Sequence, residues 1–350
     1  MIRKTMMVLM AMCMLVAFTS ETIAKPKYKV DWSHYTGWEP WDYADRSGIL
    51  KKWADKFGIE IELTLVNDYV ESITLYTGGT YDACVMTNMD ALTIPAIGGK
   101  DSTAIIVGDY SNGNDGVATK KGTLFLDIKG RTLKLVQFSV SHYLLARALF
   151  MNGMSERDVI LIHTSDADIG ALFISDDSPL ATIVTWNPIL MSVRQEPGVT
   201  MLFDSSKIPG EIQDLLVVRT DAPENLKKAL VGAWYETMAV MTSKGPDRDK
   251  AISHMAKTAG GTVPEFERQL KTTFMFYTPQ SAVDFTSDKK MKDITEFVRS
   301  FCFDHNLWQG AKTKDHVGIQ FPDGSVMGDP KNIKFRYDTT YMKLAAEGKL

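Results

Sequence analysis

Between Tyr35 and Asp45 the chain gathers two tryptophans (Trp38, Trp41), two tyrosines (Tyr35, Tyr43) and three carboxylates (Glu39, Asp42, Asp45). Aromatic faces attract cations and the polar tips of indole and phenol need partners. Ionised carboxylates only accept hydrogen bonds. On a loop, such a set suits a polar or cationic ligand. Ordinary roles compete: Asp42 or Asp45 can cap the following helix, and the rings can pack beneath it. Asp45 is read as a cap, and Trp38, Glu39 and Trp41 as ligand contacts. Five other residues offer similar chemistry. Asn88 lies at the polar tip Thr87–Asp90 of a short apolar strand, and Asp109 in the turn-rich segment from Gly108 to Gly116. Ser141 opens a helix, whose amino terminus is a natural anion site. Trp186 and Asn187 end a further strand, an aromatic face beside an amide that both donates and accepts.

The usual catalytic patterns are missing. The sequence has no Gly-x-Ser-x-Gly elbow, no His-Glu-x-x-His, no phosphate-binding Gly-x-x-x-x-Gly-Lys and no paired cysteine spacing for zinc. Its six histidines are scattered, and a lone histidine without a partner is more often structural than catalytic. No catalytic residue, metal ligand or cofactor is therefore expected. The net charge of −4 argues against nucleic acid as a partner. Of three cysteines, Cys13 lies in an apolar leader, and Cys84 and Cys302 are expected to be free, buried thiols.

These residues need a scaffold to position them. Residues 1–24 read as an export signal: Arg3 and Lys4, an apolar stretch from Met6 to Phe18, then Thr22-Ile23-Ala24 as a cleavage site. The mature chain is expected to begin at Lys25. Beyond it, strand signals alternate with helical ones, which predicts an α/β fold with parallel sheets. A strand over Tyr28–Tyr35 leads through the aromatic loop to a helix from about Tyr43 to Gly58. The pattern restarts after Leu124, so two lobes are expected: 25–116 with 220–350, and 117–219. Chain crossings are expected near Gly108–Val117 and Val217–Asp221. Leu226, Leu230, Trp234 and Met238 predict one buried helix face. The tail from Thr313 reads as surface wrapping.

The order of parts, from the aromatic loop through Gly79-Thr-Tyr-Asp-Ala83, Thr87-Asn88, Asp127-Ile-Lys-Gly-Arg-Thr-Leu133 and Ser141-His-Tyr-Leu-Leu145 to Trp186-Asn-Pro188, resembles the periplasmic substrate-binding proteins of the nitrate, taurine and sulfonate importer group. Trp38-Glu-Pro-Trp41 and Trp186-Asn-Pro188 look most like members encoded beside urea carboxylase, which is associated with guanidine. The resemblance implies a type II-like periplasmic binding fold with the ligand between two lobes. It also implies a permease and its ATPase as partners, a monomer, and no catalysis. The candidate loops depart from an anion binder: they carry Glu39, Asp42, Asp90 and Asp109 and almost no Arg or Lys. A small nitrogen-rich solute is expected, guanidine first and urea next. The alternatives are a taurine- or nitrate-type anion, or a pyrimidine-precursor enzyme or binding protein of the same fold.

Overall fold

The computed structural model describes residues 24–120, 124–308 and 310–350; the expected leader falls almost wholly outside them. In chain order the strands are β1 Lys27–Trp32, β2 Glu60–Leu65, β3 Ala83–Thr87, β4 Ser102–Ser111, β5 Asp115–Thr119, β6 Thr132–Leu135 and β7 Ile160–His163. They continue as β8 Thr182–Trp186, β9 Thr200–Asp204, β10 Gln213–Arg219, β11 Thr273–Met275, β12 Gly318–Gln320, β13 Val326–Met327 and β14 Ile333–Tyr337. The chain is α/β, with two sheets among the described residues. The larger runs β13-β12-β14-β4-β10-β3-β1-β2, with β11 also on β4; the smaller runs β7-β6-β8-β5-β9.

In the larger sheet β1, β2 and β3 are parallel, and β10 lies antiparallel between β3 and β4. Every residue of β3 is buried, as a strand covered on both faces requires. The helix Glu224–Thr242 covers this sheet and buries Leu226, Leu230, Trp234 and Met238, the stripe its 3.6-residue spacing predicts. Cys84 and Cys302 are free and buried, as expected. In the smaller sheet β6, β7 and β8 are parallel, and β5 lies antiparallel between β8 and β9. The helix Val140–Met151 packs on it.

Three expectations change. The aromatic segment is mostly helix: Glu39–Arg46 begins right after Trp38 and is separated from the helix Ile49–Lys56 by Gly48 at φ +82. Pro40 in the first turn and acids at Glu39 and Asp42 favour that start, since proline lacks only a hydrogen that would be unpaired there and the acids face the positive helix end. The chain crosses between sheets at 112–114 and again at 205–212. The second crossing was placed at Val217–Asp221, but β10 pairs with β3 and β4 of the larger sheet. The tail is not a wrapping. β12, β13 and β14 extend the larger sheet, and β14 pairs in parallel with β4. Phe335 and Tyr337 face inward while Lys334 and Arg336 are less buried, the two-residue alternation of a half-buried strand.

Gly232 lies inside the long helix, and a Cβ there would stand 2.3 Å from the Trp53 ring. That indole is held by its Nε1–H donating to Glu236 at 2.7 Å. Alanine for glycine normally stabilises an exposed helix interior by about 1 kcal/mol; Gly232→Ala is expected to do the reverse, destabilising by roughly 1–3 kcal/mol through overpacking. Urea unfolding of the two proteins checks the sign.

Candidate functional site

Both sheets send strand ends to one shared place. From the larger sheet come Tyr35 and Trp38 after β1, Tyr69 after β2, Thr87 at the tip of β3 and Asp90 just beyond it. Asp109 lies near the end of β4, and Asp214 at the start of antiparallel β10. From the smaller sheet come Val140 after β6, Asp166 after β7, Trp186 at the end of β8 and Asp115 at the start of antiparallel β5. Register fixes the neighbours: Asp214 opposes both Thr87 and Asp109, and Asp115 opposes Trp186. The carboxyl ends of parallel strands are where α/β sheets collect ligands.

The aromatic residues form a chain across the junction. Tyr35 meets Trp38 at 5.0 Å between ring centroids, Trp38 meets Tyr69 at 5.5 Å, and Tyr69 meets Trp186 edge-on at 5.5 Å. Between them lies a cavity of about 10 Å³, lined by these four rings with Thr87, Asp115, Val140, Ile212 and Asp214. A second cavity of about 10 Å³ lies behind it, walled by Trp38, Trp41, Trp234, Asp109 and Asp214. Each has room for roughly one water. Larger hollows occur elsewhere, such as the 320 Å³ groove between Pro188 and Gln269 at the rim, but they are not lined by buried carboxylates.

The polar groups are mostly acceptors. Tyr35 donates to Asp109 Oδ1 at 3.1 Å, and Ser111 to Asp115 Oδ2 at 2.5 Å. Asp90 Oδ2 accepts from the Tyr69 hydroxyl at 2.7 Å, from Thr87 at 2.8 Å and from the Val140 backbone N–H at 3.2 Å. Asp166 Oδ1 accepts from the Tyr69 backbone N–H at 3.1 Å. Two helices that begin at the junction are thus met by a carboxylate of the opposite unit: Val140–Met151 by Asp90, and Tyr69–Thr77 by Asp166. Asp90 Oδ1, Asp109 Oδ2, Asp214 Oδ2 and Trp38 Nε1 are buried without a partner. Among the described residues, none of these aspartates pairs with a lysine, arginine or histidine. Arg147 is taken by Glu211 at 2.8 and 2.9 Å.

Burial without a counter-charge disfavours the ionised form. It raises Asp109 and Asp115 to about 7 and Asp90 and Asp166 to about 6, and pushes Asp214, which also faces Asp109 and Asp115, well above the carboxylate range. Burial and the adjacent Asp109 and Asp90 charges likewise hold Tyr35 and Tyr69 far above the ordinary phenol value. Both phenols therefore remain hydrogen-bond donors.

Of the expected site residues, Trp38 lines both cavities, Trp186 the front one, and Trp41 and Asp109 the rear one. Ser141 is buried beside Val140 with its hydroxyl unpartnered; Ser139, not Ser141, caps the helix. Asn187 donates to Asn114 at 2.5 Å, and Asn114 in turn donates to Tyr35. Asn88 is tied to the backbone of Glu211 and Gln213. Glu39 lines neither cavity: it is fully buried against His34 Nδ1 at 2.8 Å, because helix formation from residue 39 turns it away from the loop's rings. Sequence reasoning missed Tyr69, Asp115 and Asp214. The signal for the last was present, an acid opening the apolar run Leu215–Val218.

The NMT1/THI5-like family profile matches residues 49–247, more than half of the chain. The protein belongs to that family. No curated protein sequence matches it. Among solved structures it is similar to the alkanesulfonate-binding protein SsuA of Xanthomonas axonopodis pv. citri bound to MOPS, with a TM-score of 0.67 at 14% identity over 81% of this chain and 95% of that one. The aliphatic sulphonate-binding protein SsuA of Escherichia coli gives 0.65 at 17% identity, covering 82% and 94%. The nitrate-binding protein NrtA of Synechocystis gives 0.56 at 12% identity, covering 92% and 98%. At these identities the likeness establishes the periplasmic binding protein fold. Among the described residues no helix is long and apolar enough to cross a membrane.

Carboxylates raised from roughly 3.9 unfolded to about 6–7 folded make the native state bind more protons than the unfolded one between those values. Stability then falls as pH rises through that window. The exposed carboxylates held low by lysines or hydroxyls, such as Asp55 and Glu265 at about 2, act only at lower pH. The ligand-free NMT1/THI5-like protein is therefore expected to melt at a higher temperature near pH 5.5 than near pH 8. Calorimetric scans across that range check it, and a melting temperature that climbs with pH would contradict it.

Proposed function

We propose that the protein is the solute-binding component of an ABC importer, exported to the periplasm, and that it captures a small nitrogen-rich cation, guanidinium foremost, for delivery to a permease and its ATPase. Membership of the NMT1/THI5-like family and the binding-protein fold support the transport role. The observation that carries the ligand class is the state of the two helix ends at the junction. Helix amino termini are the fold's ready-made anion sites, and here Asp90 and Asp166 already occupy them. Further carboxylates, Asp109, Asp115 and Asp214, stand around the aromatic walls without a cation. A sulfonate or nitrate at that spot would meet negative charge on several sides and lack donors.

Guanidinium is flat and all of its N–H groups donate. The free oxygens of Asp109 and Asp214 are acceptors for it, and Trp38, Tyr69 and Trp186 supply ring faces. The present cavities are each about water-sized, so admission requires the two sheet units to part about the 112–114 and 205–212 crossings and to close again on the solute. Urea has the same shape without the charge and with an acceptor oxygen, and it leaves a carboxylate uncompensated.

Calorimetric titration with guanidinium, urea, taurine and nitrate tests the reading. Guanidinium is expected to bind tightest. A charge-assisted hydrogen bond contributes roughly 1.5–3 kcal/mol, so Asp109→Asn is expected to weaken it at least about tenfold. Taurine or nitrate binding more tightly than guanidinium would refute the proposed ligand class.

A further inference from the structure

We infer that the Asp109–Asp214 pair is a proton-binding site and that capture of the cation expels this proton to solvent, so that the protein exchanges one for the other. This rests on the cation-binding reading above and adds a second, exchangeable ligand to the same site. The two residues oppose each other across β4 and β10. Both are essentially fully buried, and each keeps one carboxylate oxygen with no partner. Two carboxylates opposed across neighbouring strands, both buried and without a counter-charge, do not both ionise.

Nothing packed against the pair neutralises it by other means. From the segment after β1 comes Tyr35, a hydroxyl that donates to Asp109. From β5 comes Asp115, a further acid, itself influenced by Asp90 beyond β3. Tyr277, following β11, faces Asp109 and is likewise raised. The indoles of Trp38, Trp41 and Trp234 close the rear cavity and carry no charge. With no ion pair to either acid among the described residues, the empty site keeps its charge balance by holding a proton. A guanidinium seated against the two free oxygens removes the need for it. The O–H bond of the protonated carboxyl breaks, both electrons stay on the oxygen, the proton leaves to buffer, and the resulting carboxylate accepts from the cation's N–H groups.

The measurement is calorimetric titration of the mature chain with guanidinium chloride near pH 7 in phosphate and in Tris, buffers whose protonation enthalpies differ widely. Observed enthalpies that differ between buffers by the amount for about half to one proton released per cation are the expected result. The affinity should also rise by up to about tenfold per pH unit between roughly pH 5.5 and 7, then level off. Asp214→Asn removes one member of the pair and should weaken cation binding about tenfold, as Asp109→Asn does, while reducing the protons released per cation bound to well below half of the wild-type value. If that variant does not fold, the pH profile of the wild type decides alone. Guanidinium binding with buffer-independent enthalpy and a flat pH profile overturns the exchange and leaves the proposed function standing. No guanidinium binding at any pH overturns the reading on which it rests.

Discussion

Several carboxylates share one buried, aromatic-walled junction and, among the described residues, none of them forms an ion pair with a basic side chain; the surrounding architecture follows from that charge. Removing an ionised carboxylate from water costs several kcal/mol unless something compensates. Compensation here comes from donors already in place: the Tyr35 and Tyr69 hydroxyls, Thr87, Ser111 and the first N–H groups of two helices. Each donor supplies part of what a counter-ion would supply in full. The oxygens left over are the acceptors that the proposed cation would meet.

The reciprocal use of the helix ends ties this chemistry to the arrangement of the two sheets. Asp90 belongs to the larger unit and meets a helix of the smaller; Asp166 belongs to the smaller and meets a helix of the larger. The Trp186 Nε1–H adds a third tie, donating to the His34 carbonyl at 3.2 Å. The same contacts that hold the units together also set the field inside the cavity. If the units part as proposed, two carboxylates lose backbone donors and meet water together with Asp115 and Asp214, which would give the open protein an acidic mouth able to steer a cation toward it.

Much of this was legible in the sequence, and the parts that were not have identifiable causes. The alternation of strand and helix announced the fold, whereas β5, which joins the smaller sheet from Asp115, precedes the restart read after Leu124. Composition located the aromatic wall at Trp38, Trp41 and Trp186. It could not say that Glu39 faces His34, because that depends on where the first helical turn begins, and a one-residue change rotates a side chain by about 100°. Asp115 escaped notice because it lies in the same turn-rich segment as Asp109, and Asp214 because it only opens an apolar run; both become acids among acids through cross-strand register. The tail was misread for a related reason: Ile333, Phe335 and Tyr337 alternate with Lys334 and Arg336 as a half-buried strand does, but its partner β4 lies more than two hundred residues earlier.

That last pairing bears on how the molecule comes into being. β4 carries Asp109; β10 from the middle of the chain lies along one side of it, and the other side is shared by β11, opposite Asp109–Ser111, and by β14 from near the chain's end, opposite Ser102–Ala104. A ribosome or a translocation channel releases residues in order, so the strand bearing this acid is flanked on one side long before the other side exists. Until residue 337 has emerged, the Ser102–Ala104 end of β4 presents an unpaired edge, a position that invites wrong partners. The completed sheet is thus a late event in the life of each molecule, and a chaperone that shields residues 102–104 in the interim would act on the segment that waits longest for its partner.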